Sequence, residues 1–501
     1  MAAAVLVSAL RTWAQQEVPI GTVAQLRERL NDRITQPQYA AALWGAKVVS
    51  LDTGIMVFEH NAEKLFSPAS NTKLYTVAMA LERLGPDYRI KTSMYSKARP
   101  GRSGTLNGNL VVYGRGDPTI NSHSQNGDAD SAFAPLVAAL SKAGVRKIKG
   151  DLIGDESFFR GPEFGSGWAC DDLEYNYGAE ISALTINDNT LQMTVRPGDR
   201  LGAQCRLTVS PLTSYVTFSN RTQTIEAGGK RNIHFYRPLG ENLIYVTGQM
   251  GLDDTEYNEP LPFHNPAGLF VALLKEALAH QGIKVTGKLR TVNWLERQLH
   301  PFESAQMVEL GTIDSPPLSA IAGLVEKPSQ NLYADLLLAH VGEMGRDSSS
   351  GMEVSSEELG IRELDKFLSR AGISKGGVIF EEGSGLSRDN LATPSATVAV
   401  LQYMSRQTCA ETYRGSLPVA AVDGILRNRM KGTPAAGNVR AKTGSLRWAK
   451  SLSGYVTTAA NERLAFSFMV NRFQNPAYSA NTDLDAMAVL LAGFTGRSGN
   501  W

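Results

Sequence analysis

Ser70 stands three residues ahead of Lys73 in Ser70-Asn71-Thr72-Lys73. On a helix that spacing puts both side chains on one face, within reach of each other. A serine hydroxyl is inert near neutral pH until a neighbour takes its proton. A lysine can take it only when partly neutral, and burial or a nearby second cation pushes its pKa that way. The first turn of a helix adds free backbone N–H groups that favour developing negative charge. The chemistry implied is attack by a serine on a carbonyl. Ser-x-x-Lys occurs once in the chain, yet the pair falls by chance on many helices and carries little weight alone.

Two further groups have residue types that would complete such a site. Lys442-Thr443-Gly444 precedes a predicted strand pair beginning near Ser451. Lys442 would be the second cation, Thr443 could hold a substrate carboxylate, and a glycine lets a substrate backbone approach closely. The competing reading is an ordinary edge turn. Ser329-Gln330-Asn331 could relay a proton through Ser329 and hold a substrate amide, or orient Lys73, through Asn331. Ser-x-Asn also occurs at Ser124, Ser479 and Ser498. Only Ser329 lies between the other two groups and at the head of a strongly amphipathic segment.

The elements that must position these residues are legible in outline. A helix is predicted over Val23 to Arg33, and strands over Ala41 to Ser50 and Gly54 to Glu59. The Ser70 helix is predicted to be capped by Ser67, with Pro68 in its first position, and to end at Gly85-Pro86. Leu74, Val77, Leu81 and Leu84 recur at helical spacing. From about Lys91 to Asn293 short strands separated by Gly and Pro turns predominate, with a helix near Phe263 to Gln281. Helices follow over Leu318 to Lys327 and Leu332 to Glu343, and Thr393-Pro394 starts another. A hairpin, Ser451 to Thr458 and Leu464 to Asn471, precedes a last helix. Strands at both ends around central helices predict one α/β sandwich, an antiparallel sheet with helices, interrupted by a strand-rich insert.

Length and composition bound the function. The chain has 501 residues, 43% hydrophobic and 20% charged, and a formal net charge of +1. More than one domain is expected, and there is no electrostatic case for nucleic acid. No apolar run reaches the length of a transmembrane segment. Ala2 to Leu10 forms a small apolar run followed by Ala14, which resembles part of an export signal but lacks a positive start. The alternative is a buried or frayed N-terminal helix. Cys170 and Cys205 could pair in an exported protein, or all three cysteines could be free thiols. No metal-ligand spacing is present, so neither a metal nor a cofactor is expected. Gly372-Ile373-Ser374-Lys375-Gly376 fits the hydrolase elbow Gly-x-Ser-x-Gly, but a helix precedes it and a strand follows, the reverse of what that elbow needs. Gly372 reads instead as a helix terminator.

The order Ser-x-x-Lys, Ser-x-Asn, Lys-Thr-Gly is that of the penicillin-recognising serine enzymes. Within them the chain resembles the D-Ala-D-Ala carboxypeptidases of peptidase family S13, the class C, type-4 low-molecular-mass penicillin-binding proteins. Three further segments carry the resemblance: Tyr113-Gly114-Arg115-Gly116-Asp117-Pro118-Thr119; Tyr177-Gly178-Ala179 leading into Ser182 to Asn189; and Gly383-Ser384-Gly385-Leu386-Ser387-Arg388 with Asn390 and Pro394. It runs from about Trp44 to Asn471. One departure is Glu382, where the family usually has Asp.

The resemblance implies a β-lactamase/transpeptidase-like α/β sandwich with two nested domains in the long gap between Ser70 and Ser329. The expected division is a leader at 1–15, a discontinuous peptidase domain at 16–92 and 291–501, and an insert at 93–290. It implies Ser70, Lys73, Ser329, Asn331 and Lys442 as catalytic residues. Thr443, Gly444, Ser445 and Leu446 are expected to bind substrate, as are Arg388 and Asp155, which could instead be a structural ion pair and a turn residue. The oxyanion hole is expected at the backbone N–H groups of Ser70 and Ser445. Partners would be peptidoglycan stem peptides and, covalently, β-lactams, with the protein exported to the periplasm or an equivalent envelope space. The rivals are a β-lactamase using the same site and a non-catalytic cell-wall-binding scaffold. Carboxypeptidase and endopeptidase action, the oligomeric state and the identity of the base in each step stay open.

Overall fold

The structure is a computed structural model that describes residues 20–122, 129–473 and 477–499. The expected leader and the Ser124 triplet lie outside the described residues. The two ends of the chain build one five-stranded antiparallel sheet. Its order is Arg440–Leu446, Ala449–Thr457, Arg463–Asn471, Leu43–Ser50 and Met56–His60. Alternation along Arg463–Asn471 sends successive side chains to opposite faces. Leu464, Phe466 and Phe468 pack with Leu26, Leu30 and Leu484 of the helices Val23–Ile34 and Ala477–Ala492. Ala465 and Tyr455 join the other core, with Leu74, Val77, Leu337 and Leu401. The sheet is thus buried on both faces in an α/β sandwich, as the sequence predicts.

The helix carrying Lys73, Thr72–Leu84, is entered through a 3₁₀ turn, Ala69–Asn71, in which Ala69 takes φ +48°. Ser67 does not cap it. Its backbone N–H donates to Asn471 Oδ1 at 2.8 Å instead, fastening the approach to the end of the sheet's central strand. Gly85 ends the helix at φ +85° as expected. Thr393 does cap its helix, Pro394–Met404, by accepting from the Ala396 N–H at 3.0 Å. That helix packs on the sheet and braces the Lys73 helix from behind.

Between the first and second parts of this sandwich stands a second sheet. Its order is Leu289–Val292, Leu152–Asp155, Leu110–Tyr113, Lys91–Ser96 and Val308–Asp314. The helices Ala129–Lys142 and Pro266–His280 pack against it and share its core. Two three-stranded sheets, drawn from the strands between Thr190 and Pro262, are nested inside. Because Val308–Asp314 pairs along the whole of Lys91–Ser96, we propose that the inserted unit runs from 91 to 314 rather than ending at 290. Cys170 is exposed and Cys205 buried, and both are free thiols, so the pairing left open above is not formed. No described helix is long and apolar enough to cross a membrane.

Candidate active site

Three elements distant in sequence converge on Ser70. The turn that carries it is stitched to the strand Arg440–Leu446. Asn71 Nδ2 donates to the Lys442 carbonyl at 3.1 Å and to Ser451 Oγ at 2.9 Å, and Ser451 Oγ donates to the Pro68 carbonyl at 2.7 Å. Two glycines permit this packing. A Cβ on Gly444 would run into Ser451 Oγ and the Pro68 carbonyl, and one on Gly385, itself at φ +85°, into the Ala69 carbonyl. Gly444 therefore permits close contact between the strand and the turn that carries Ser70, while Arg440–Leu446 is an edge strand of its sheet.

Lys73 is fully buried, and its ammonium is surrounded by acceptors. Nζ donates to Ser70 Oγ at 3.0 Å, Asn331 Oδ1 at 2.7 Å and the Ser384 carbonyl at 2.6 Å. Burial lowers its pKa to about 8, partly opposed by the carboxyls of Asp335, Glu382 and Glu326. Three acceptors match the three protons of the ammonium. Once one is lost, the two N–H groups can stay on Asn331 and Ser384, and the amine lone pair faces the Ser70 hydroxyl.

Lys442 is likewise fully buried. Nζ donates to Ser329 Oγ at 2.7 Å and to the Thr443 carbonyl at 3.2 Å. Burial, then the charge of Lys73, lowers its pKa to about 7, opposed by Glu326. Ser329 takes φ +67°, a left-handed conformation rare for a side-chain-bearing residue. It is held from both sides, by Lys442 on its hydroxyl and by the anchored helix Asn331–Met344 that follows.

The insert supplies part of that anchor. The Tyr177 carbonyl accepts from Asn331 Nδ2 at 3.0 Å, which leaves Asn331 Oδ1 turned to Lys73. Asp188 accepts from Tyr333 at 2.6 Å and from Gln330 Nε2 at 3.1 Å. Asp188 is the middle of three consecutive left-handed residues, Asn187 to Asn189.

Sequence reasoning missed two carboxyls behind the lysines, Glu326 and Asp335, because nothing in their local pattern marks them; the third, Glu382, was noted only as a departure from Asp. Glu326, last residue of the helix Leu318–Glu326, is buried with neither oxygen hydrogen-bonded. Its pKa is raised to about 7 by burial, against the pull of Lys442 and Lys73. Asp335, one turn beyond Asn331, accepts from the Gly383 N–H at 2.9 Å, and burial raises its pKa well above the usual range. Glu382 accepts from the backbone N–H groups of Ser384 and Gly385 and from Asn390 Nδ2. The departure from Asp thus still orders the loop whose Ser384 carbonyl meets Lys73.

A cleft of about 1000 Å³ opens over Ser70. Ser329, Asn331, Thr443, Ser445, Leu446 and Arg388 line it, whereas Lys73, Lys442 and Gly444 lie beneath its surface. Arg388 is half-exposed, with its guanidinium 3.8 Å from Asp172. Asp155 is not part of the cleft. It is fully buried at the end of Leu152–Asp155, where Arg297 Nε and one terminal nitrogen donate to it at 2.8 and 2.6 Å. Its reading as a substrate contact is corrected to a structural ion pair, because a paired, desolvated carboxylate is not available to a ligand. Among the described residues no group of three or more His, Cys, Asp or Glu could hold a metal ion.

Comparison with known proteins agrees with this arrangement. Residues 26–493 match the model of the D-Ala-D-Ala carboxypeptidase 3 (S13) family. The chain is 32% identical to a D-alanyl-D-alanine carboxypeptidase of Actinomadura sp. over 95% of its own length and 86% of that protein's. It is 27% identical to D-alanyl-D-alanine carboxypeptidase DacB of Haemophilus influenzae over 85% of each chain. The crystal structure of penicillin binding protein 4 from Haemophilus influenzae superposes with a TM-score of 0.77 at 24% identity, covering 91% of this chain and 98% of that one, and establishes the shared fold.

Proposed function

The chain belongs to the D-Ala-D-Ala carboxypeptidase 3 (S13) family, and from that premise we propose how its own residues act as a serine-type D-Ala-D-Ala carboxypeptidase. Ser70 Oγ attacks the carbonyl of the penultimate D-alanine while neutral Lys73 takes its proton. The backbone N–H groups of Ser70 and Ser445 receive the oxyanion. Lys442, through Ser329 Oγ, returns a proton to the departing amine, and terminal D-alanine leaves. Water then attacks the acyl-Ser70 ester and gives its proton through Ser329 Oγ to Lys442, now neutral, while protonated Lys73 returns its proton to Ser70 Oγ as the ester bond breaks and the shortened peptide is freed. Asn331 orients Lys73 and borders the substrate amide. Thr443 and Ser445 hold the terminal carboxylate, while Leu446 and Arg388 contact the rest of the stem peptide.

The observation that carries this reading is the pair of buried lysines. Each holds a different serine hydroxyl, at 3.0 Å for Lys73–Ser70 and 2.7 Å for Lys442–Ser329. One pair suits proton removal and the other proton delivery. The proposed substrates are peptidoglycan stem peptides, met outside the cytoplasm after export, and β-lactams should acylate the same serine. A penicillin binding protein 4 of Haemophilus influenzae has been crystallised with a β-lactam. Intact-mass spectrometry after incubation with penicillin, followed by peptide mapping, tests the assignment. One penicilloyl group on the peptide containing Ser70 is expected; an unmodified protein, or an adduct elsewhere, contradicts it.

A further inference from the structure

The carboxylate end of the substrate needs a positive charge at the cleft surface, and Lys442 is poorly placed to provide it. Its ammonium is fully buried, committed to Ser329 Oγ and the Thr443 carbonyl, and does not line the cleft. Burial together with Lys73 also brings it close to neutrality at physiological pH. The next strand offers a different cation. In the antiparallel pairing of Arg440–Leu446 with Ala449–Thr457, Lys450 lies directly opposite Ser445. Its Nζ donates to Ser445 Oγ at 2.5 Å, and both residues line the cleft with Thr443 and Ser70.

Lys450 is half-buried and has no carboxylate partner among the described residues. Its basic neighbours differ from it. Arg429 faces the same region but is held by Asp485, through contacts of 2.6 to 3.1 Å to both carboxylate oxygens. Arg447 lies over the exposed ring of its neighbour Trp448, with its guanidinium 5.4 Å from the centroid. Burial, and then repulsion by the Arg429 guanidinium, lowers the pKa of Lys450. A half-desolvated cation without a counter-charge gains most from an anionic ligand. Because Ser445 Oγ accepts from Lys450, its own proton is left to donate into the cleft, toward the same anion.

We propose that Lys450, acting directly and through the Ser445 hydroxyl, is the specificity residue that recognises the free carboxylate of the substrate's terminal residue, with Lys442 reserved for proton transfer. This rests on the carboxypeptidase reading above and adds to it the group that selects a free carboxylate over a blocked one.

The test compares an N-acylated D-Ala-D-Ala peptide with its C-terminal carboxamide, cleaved by wild type, Lys450→Gln and Lys450→Arg. Wild type should favour the free acid, and the acid-to-amide ratio of kcat/KM should fall at least about tenfold in Lys450→Gln, mainly through KM. Lys450→Arg should retain most of the ratio. In wild type, added salt should erode the preference for the acid. An unchanged ratio in Lys450→Gln overturns the proposal, as does a wild-type ratio indifferent to salt if the Gln variant fails to fold. A wild-type protein that cleaves neither peptide and forms no penicilloyl adduct would instead overturn the carboxypeptidase reading.

Discussion

The two walls of the cleft are built on different physical terms. On the sandwich side, the reacting amines of Lys73 and Lys442 are out of water, and each is surrounded by acceptors at hydrogen-bonding distance. On the insert side, Tyr175 and Tyr177 are exposed and stacked on each other, with ring centroids 5.2 Å apart, and Asp171 and Asp172 stand beside them. Desolvation is what makes a lysine a base near neutral pH, so the chemistry has to lie beneath one wall. Recognition of a peptide needs groups it can reach, and these are on the surface of both. The division is incomplete, because the Tyr177 carbonyl and the Asp188 carboxylate cross from the insert to hold Asn331, Gln330 and Tyr333.

Removing the nucleophile should break the comparison most completely. Ser70→Ala should lower D-alanine release by at least about 10³-fold, since a nucleophile and its base act as a unit. Full D-alanine release by that variant would remove Ser70 from the mechanism. The next largest effect concerns the sandwich wall and pH. With Lys73 near 8 and Lys442 near 7, the productive state is the pair carrying one proton, in the minor arrangement that places it on Lys442 and leaves Lys73 neutral. At lower pH both are ammonium and no base is present; at higher pH both are neutral and the leaving amine receives no proton. A bell-shaped profile of kcat/KM with its maximum between the two values is expected, and a flat profile across that range would contradict it.

The insert's reach across the cleft predicts a smaller loss. Asp188→Ala removes the acceptor of Tyr333 and Gln330 and should slow acylation by penicillin about tenfold, the scale of one or two hydrogen bonds. Asp188→Asn keeps an acceptor for Tyr333 and should recover most of the rate. Stopped-flow acylation separates this from a stability effect; a lower melting temperature with an unchanged acylation rate would make the contact merely structural. The smallest expected change is at Glu326. Its carboxylate favours both ammonium forms, so Glu326→Gln should lower both lysine pKa values and move the pH profile toward acid. A profile that stays in place would leave Glu326 without a part in the titration.

The groups that meet at the candidate site were legible in the sequence because each is a short local pattern. Spacing of three residues brings Ser70, in the turn Ala69–Asn71, beside Lys73 in the helix that follows, and the strand-rich texture between Lys91 and Asn293 marks most of the proposed insert. The strand Val308–Asp314, with which we propose the insert ends, was not legible, because a single strand beside a helical region has no marker until its pairing partner is known. Asp155 read as a ligand and proved to be the buried partner of Arg297. At Gly444 nothing in the sequence marked the close contact with the turn of Ser70. Both have the same origin: a residue type states what a side chain can do, and only its neighbours decide what it does.

By itself, then, the sequence determined the α/β sandwich and marked Ser70 and the two lysines as candidates, since helix periodicity, strand alternation and short motifs are set by residues close along the chain. The tertiary structure alone decided which carboxyls sit behind Lys73 and Lys442, that Asn71 closes the site through the Lys442 carbonyl 371 positions away, and that Lys450 faces the cleft beside Ser445. Those pairings come from how separately formed elements dock, and burial, which sets the charge of each lysine, exists only once they have docked.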